Sequence, residues 1–170
     1  MFISVLELFK IGIGPSSSHT LGPMVAANCF IKQLIQFALT ETLPNDSLIR
    51  ITLKGSLAFT GKGHSTDRAI TLGVHGYSPE NLVNEDVDNL VSLIWERDRV
   101  NLDDSHSIRF NPEKHIVFDK GDPLPEHPNG MIFELIGPDQ ETLLSETYFS
   151  IGGGFINTLA EIHQLQAPLK

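Results

Sequence analysis

The feature that most restricts the fold is residues 23–39, a helical pattern with very little charge. Met24, Ala27, Phe30, Ile31, Leu34, Ile35 and Ala38 recur at helical spacing and make a broad apolar face. A surface helix keeps one wet side. This one is too apolar for that, so it must be a core helix covered from more than one direction. Pro23 stands in the first turn, where a missing N–H costs nothing.

The elements that could cover it follow from periodicity. Ile49, Ile51 and Leu53 alternate with Arg50, Thr52 and Lys54, the period-two pattern of a half-buried strand leading through Gly55 to residues 57–59. Helical spacing returns at 65–74, and at 86–99, where Val87, Leu90, Val91, Ile94 and Trp95 share one face. Residues 107–110, 115–118, 131–136 and 142–150 read as strands, punctuated by Asn111-Pro112, Gly121-Asp122-Pro123 and Gly137-Pro138. At the amino end, Ser4 and Glu7 have capping-box spacing ahead of Val5, Leu6, Leu8 and Phe9, a short helix stopped by Gly12 and Gly14-Pro15. After the glycines at 152–154, residues 156–170 are weakly helical without a stop, like the start of a connection. Helices and strands interleave without a βαβ rhythm, so the class is α+β, a single domain with a mixed or antiparallel sheet packed by helices.

Composition narrows the functions. The 170 residues are 41% hydrophobic, enough for one ordinary core. With 12 lysines and arginines against 21 acids the net charge is -9, and no basic cluster offers nucleic acid a footprint. No apolar run approaches the roughly 20 residues of a membrane span, and the start of the chain lacks a signal-peptide pattern, so a cytoplasmic protein is expected. One cysteine, Cys29, excludes an internal disulfide and a cysteine-ligated cluster or zinc site built from this chain alone. Placed within the apolar helix, it reads as a buried, inert thiol.

Three polar turns carry groups able to bind an anion or move a proton. The first holds Ser16, Ser17, Ser18, His19 and Thr20 ahead of the core helix. A helix start offers unpaired N–H groups and a partial positive charge to a carboxylate or phosphate. Simple capping by the serines, with His19 as a surface residue, is the plainer alternative. The run is not a phosphate-binding Gly-Lys-Ser/Thr loop, and Gly12-Ile13-Gly14 does not complete a dinucleotide fingerprint. The second turn places His64 between glycines and a helix start, with Asp67 three residues on to orient it. A solvated loop histidine is the rival there. In the third turn, Gly152, Gly153 and Gly154 allow close backbone approach, though such runs are often plain turns. His127 lies in Glu126-His127-Pro128-Asn129-Gly130, where Asn-Gly suggests a hairpin with positive φ. His75, His106, His115 and His163 lack a metal-binding pattern and read as structural.

Taken together, these blocks resemble the beta domain of bacterial iron–sulfur-dependent L-serine dehydratases (L-serine ammonia-lyases). The resemblance is carried by Gly12-Ile13-Gly14-Pro15-Ser16-Ser17-Ser18-His19-Thr20, by residues 60–67, by His127-Pro128-Asn129-Gly130-Met131, and by Ser150-Ile151-Gly152-Gly153-Gly154-Phe155-Ile156, in family order across nearly the whole chain. The family's second block usually reads Gly-His-Gly-Thr-Asp. Here His64 is followed by Ser65, which keeps the imidazole.

The resemblance implies a fold similar to the allosteric substrate-binding domain of phosphoglycerate dehydrogenase. It implies a beta domain over 1–155, and over 156–170 the start of a linker to an alpha domain that holds a [4Fe–4S] cluster. The implied activity is β-elimination of L-serine to pyruvate and ammonia in amino-acid catabolism and gluconeogenesis, with the isolated domain inactive and the enzyme a homodimer. The implied metal ligands in this chain are none. His64 and His19 become the catalytic candidates; Ser16, Ser17, Ser18, Thr20, Asp67, Asn129 and Gly153 become candidates for holding substrate. A non-catalytic allosteric, substrate-binding or dimerisation role within the same enzyme type is the alternative.

Overall fold

A computed structural model describes residues 17–60 and 65–168. The helix expected at the amino end lies outside them. The core helix, α1 (Leu21–Thr40), begins two residues earlier than its pattern suggested. Pro23 therefore sits third in the helix, still within the turn that needs no intrahelical N–H partner.

Along the chain follow β1 (Leu48–Leu53), α2 (Ser56–Thr60), α3 (Thr66–Val74), a 3₁₀ turn (Pro79–Leu82) and α4 (Val87–Trp95). Then come β2 (Arg99–Asn101), β3 (Ser107–Arg109), α5 (Pro112–His115), β4 (Ile116–Phe118), β5 (Gly130–Ile136), β6 (Thr142–Gly152), β7 (Phe155–Thr158) and α6 (Leu159–Gln166). The strands form one sheet ordered β2-β3-β1-β5-β6-β7, with β4 also paired to β1. It is mixed: β1 runs parallel to β3 and β4 and antiparallel to β5. The α+β class and the mixed sheet agree with the sequence pattern.

Helix α1 is covered on two sides, as its uncharged face demanded. Phe30 and Leu34 pack with Ile49, Ile51, Leu53, Phe133 and Tyr148 of the sheet. Leu21 and Met24 join Ala69, Leu72, Val91 and Ile94 of α3 and α4 in a second cluster. Phe133 sits between Phe30, at 5.4 Å between ring centroids, and Tyr148, at 5.5 Å edge to face. Burying each such ring or leucine contributes about 1.5–3 kcal/mol, so this layer is a principal source of stability.

Several local expectations are corrected. Residues 57–59 do not extend β1; they form α2, because Gly55, with φ +59°, turns the chain out of the strand. Asn129 and Gly130 do not adopt positive φ, and Gly130 is simply the first residue of β5. The tail is not helical from residue 156: Phe155–Thr158 pairs with β6 before Thr158 caps α6, accepting from Glu161 N at 3.2 Å. Cys29 is half-buried rather than buried, and burial is the main cause pushing its thiol pKa up.

Candidate functional site

The starts of α1, α2 and α3, the approach to β5 and the β6–β7 turn meet at one end of the molecule, although they come from distant parts of the sequence. Ser17 anchors the first of these. Its carbonyl accepts from Gly22 N at 2.9 Å, and its Oγ accepts from Gly153 N at 3.1 Å, across 136 positions. Gly152, Gly153 and Gly154 all have positive φ, the left-handed region glycine occupies without penalty, and this bends β6 back into β7. Gly22 is required for a different reason. A Cβ there would lie 2.1 Å from Ser150 Oγ, so β6 approaches the helix start closer than any side chain allows.

His19 is fastened at both ring nitrogens and at its backbone. Ser18 Oγ lies 3.0 Å from Nδ1, and Ser56 Oγ lies 3.5 Å from Nε2. Thr66 Oγ1, at the head of α3, donates to the His19 carbonyl at 2.6 Å. Burial lowers the imidazole pKa, so the ring is neutral near pH 7 and able to accept a proton. Thr20 is fully buried, and its carbonyl accepts from Met24 N at 3.0 Å. With Gly22 N engaged by Ser17 and no N–H on Pro23, the helix start offers an anion fewer donors than its sequence suggested.

Asn129 works as a brace rather than as a turn residue. Its Nδ2 donates to the Ser150 carbonyl at 3.1 Å, its carbonyl accepts from Ser150 N at 3.1 Å, and its Oδ1 accepts from Ser56 Oγ. Its own N–H donates to His127 Nδ1 at 3.0 Å. Ser56 is held in turn by its N–H to the Pro128 carbonyl at 3.0 Å. Asp67 is nearly buried; its Oδ1 accepts from Arg68 N at 2.9 Å and its carbonyl from Thr71 Oγ1 at 2.7 Å.

Of the sequence candidates, the fold brings Ser17, Ser18, His19, Asn129 and Gly153 into one bonded neighbourhood. Asp67 adjoins it through Thr66. Ser16 and His64 lie outside the described residues. Sequence reasoning missed Ser56, Thr66 and Ser150. Thr66 and Ser150 lie inside blocks that carry the family resemblance without being singled out there, and Ser56 had its own local signal, a hydroxyl directly after the glycine that ends a strand. A groove of about 560 Å³ runs along α1 beside the same glycine turn, lined by Leu21, Asn28, Cys29, Lys32, Gly153 and Phe155. Gly153 is shared with the His19 neighbourhood, but Ser17, Ser18, His19 and Asn129 do not line the groove.

Among the described residues no group of three His, Cys, Asp or Glu could hold a metal ion, and no helix is long and apolar enough to cross a membrane. The whole chain has one cysteine. These residues do not fit the ligand set of an iron–sulfur cluster, which takes several thiolates.

Fold and site thus define an α+β domain that gathers hydroxyls and a neutral imidazole at one end of a mixed sheet. The chain belongs to the serine dehydratase beta chain family, whose pattern it matches over residues 4–161. It is 42% identical over 156 residues to an L-serine dehydratase of Streptomyces coelicolor, covering 92% of this chain and 34% of that protein. It is 44% identical over 155 residues to the L-serine dehydratase TdcG of Escherichia coli (91% and 33%), and 44% over 158 residues to an L-serine dehydratase of Mycobacterium tuberculosis (93% and 33%). The chain therefore spans about a third of the length of the curated relatives it matches.

Proposed function

We propose that this chain is the beta part of an iron–sulfur L-serine dehydratase and supplies acid–base and substrate-anchoring groups for the β-elimination of L-serine. The observation that carries this reading is His19, kept neutral by burial, with Ser18 Oγ 3.0 Å from Nδ1 at the meeting point of five separate segments. In the reaction the Cα proton and the β-hydroxyl leave as water. The resulting aminoacrylate tautomerises to an imine, whose hydrolysis gives pyruvate and ammonia.

That sequence needs a base near Cα, an acid for the departing hydroxyl and an anchor for the zwitterion. His64 is the leading acid–base group and His19 the second. Ser16 and Ser17 offer hydroxyls to the substrate carboxylate, and Asp67 offers a carboxylate to its ammonium; Thr20, fully buried, and Ser18, whose Oγ lies 3.0 Å from His19 Nδ1, serve by holding the loop and the imidazole in place. Gly153 serves by fixing Ser17, since its N–H is engaged there. Asn129, with both amide atoms engaged inside the chain, acts through Ser56 and His19. A [4Fe–4S] cluster in the complete enzyme would be ligated outside this chain, on a separate alpha domain. The chain alone is expected not to turn over L-serine.

The test is turnover in the complete enzyme. His64→Ala and His19→Ala should each lower kcat by about 10²-fold or more, the range of general acid–base groups, with the cluster's visible spectrum unchanged. The His19 base must be neutral to act. Because its pKa is lowered, activity should hold until the pH falls below the ordinary imidazole range, and the acid limb should change in His19→Ala. Near-normal turnover in both variants would refute the catalytic reading in favour of a domain that only senses or binds.

A further inference from the structure

We infer that Ser56 and Asn129 are positioning residues that determine which nitrogen of His19 carries the proton, leaving Nδ1 as the nitrogen that exchanges it. This rests on the reading of His19 as an acid–base group and takes it to a particular atom.

Two oxygens in this network have only one possible role. The Ser150 carbonyl can only accept, so the Asn129 atom 3.1 Å from it is the NH₂ group, and Oδ1 faces Ser56. Asn129 Oδ1 also can only accept, so the single hydroxyl proton of Ser56 points at it. Towards His19 Nε2, 3.5 Å away, Ser56 Oγ therefore presents lone pairs. A bond there needs the proton on Nε2. In a neutral ring Nδ1 is then the acceptor, and Ser18 Oγ, at 3.0 Å, donates to it.

The network is held from outside the ring. Ser56 N is fixed by the Pro128 carbonyl, and Ser150 N by the Asn129 carbonyl. The rigid end of the relay is thus the β5–β6 backbone. The exchangeable end is Nδ1, on the side of Ser18 and Ser17. A proton reaching His19 enters at Nδ1, while the Nε2 proton stays bound to Ser56 in both the neutral and the charged ring.

The experiment is long-range ¹H–¹⁵N correlation on the histidine-labelled chain above pH 7, with the His19 signals assigned by their loss in His19→Gln. Nδ1 should show the pyridine-like shift and Nε2 the pyrrole-like one. Ser56→Ala should move the tautomer ratio by about fivefold towards the Nδ1–H form, the worth of one neutral hydrogen bond, and Ser56→Thr should restore it. A pyridine-like Nε2 in the unmodified chain would overturn the inference without any variant. So would an unchanged ratio in a folded Ser56→Ala chain. Should the tautomer be as stated while His19→Ala keeps normal turnover in the complete enzyme, the positioning stands and the catalytic reading of His19 falls.

Discussion

His19 and His75 have both been made less basic by burial, yet the two imidazoles sit in opposite kinds of surroundings. His19 has hydroxyls at both ring nitrogens and lies where five segments meet. His75, at the end of α3, has a buried Nε2 with no hydrogen-bond partner among the described residues, and its ring lies edge-on to Phe110 at 6.5 Å. Its pKa is pushed down to about 4, chiefly by burial and then by the Arg97 charge. A depressed pKa alone therefore does not mark a reacting group. What separates them is whether the fold has provided partners that can pass a proton on. His75 is a core residue whose polar atom costs stability, whereas the role proposed for His19 rests on the hydroxyls beside both of its ring nitrogens.

The largest effect is expected at Gly55, which sets Ser56 against His19 and Asn129. Gly55 has φ +59°, and a Cβ there would lie 2.1 Å from the Pro128 carbonyl oxygen. Gly55→Val should cost about 4 kcal/mol from backbone strain plus the clash, and in the complete enzyme should abolish the proposed L-serine turnover by displacing Ser56 from Asn129. Chemical denaturation and a turnover assay check both. Unchanged turnover would mean that the Ser56 relay is dispensable.

The next effect belongs to His75. Its folded pKa lies below its unfolded value, so the unfolded chain takes up the proton first. Its stability contribution is complete above about pH 6.5 and is lost as pH falls towards 4, by about 3 kcal/mol in all. His75→Leu should flatten that limb in denaturation curves at stepped pH and leave turnover alone. His19→Ala should do the reverse in the same curves: turnover about 10²-fold lower, worth about 2.7 kcal/mol of barrier, with little change in the melting temperature. The smallest effect is at Asp86, which caps α4 by accepting from Asn89 N at 3.2 Å, on the His75 half of the molecule. Asp86→Ala should lower stability by about 1 kcal/mol and leave kcat unchanged.

Much of the fold was legible along the chain. The apolar periodicity of residues 23–39 demanded a doubly covered helix, and α1 lies between the sheet and α3–α4 for that reason. The alternation in residues 49–53 gave β1. Harder to read were β2, α5 and the 3₁₀ turn, each of four residues or fewer, too short for a period to repeat. The Asn-Gly pair misled because its side chain had a stronger use. Asn129 satisfies the Ser150 backbone and Ser56 at once, and that outweighs its turn preference.

By itself the sequence determined the longer helices and strands, the double cover of α1 and the residue types available for chemistry, because hydrophobic burial depends on spacing that a single chain displays. Only the tertiary structure decided which hydroxyl meets which ring nitrogen. Ser56 meets His19 across 37 positions and Asn129 across 73, through directional bonds that exist only once β1, β5 and β6 are in register. Hydrogen-bond geometry is set by distances between distant segments, and no local pattern encodes those.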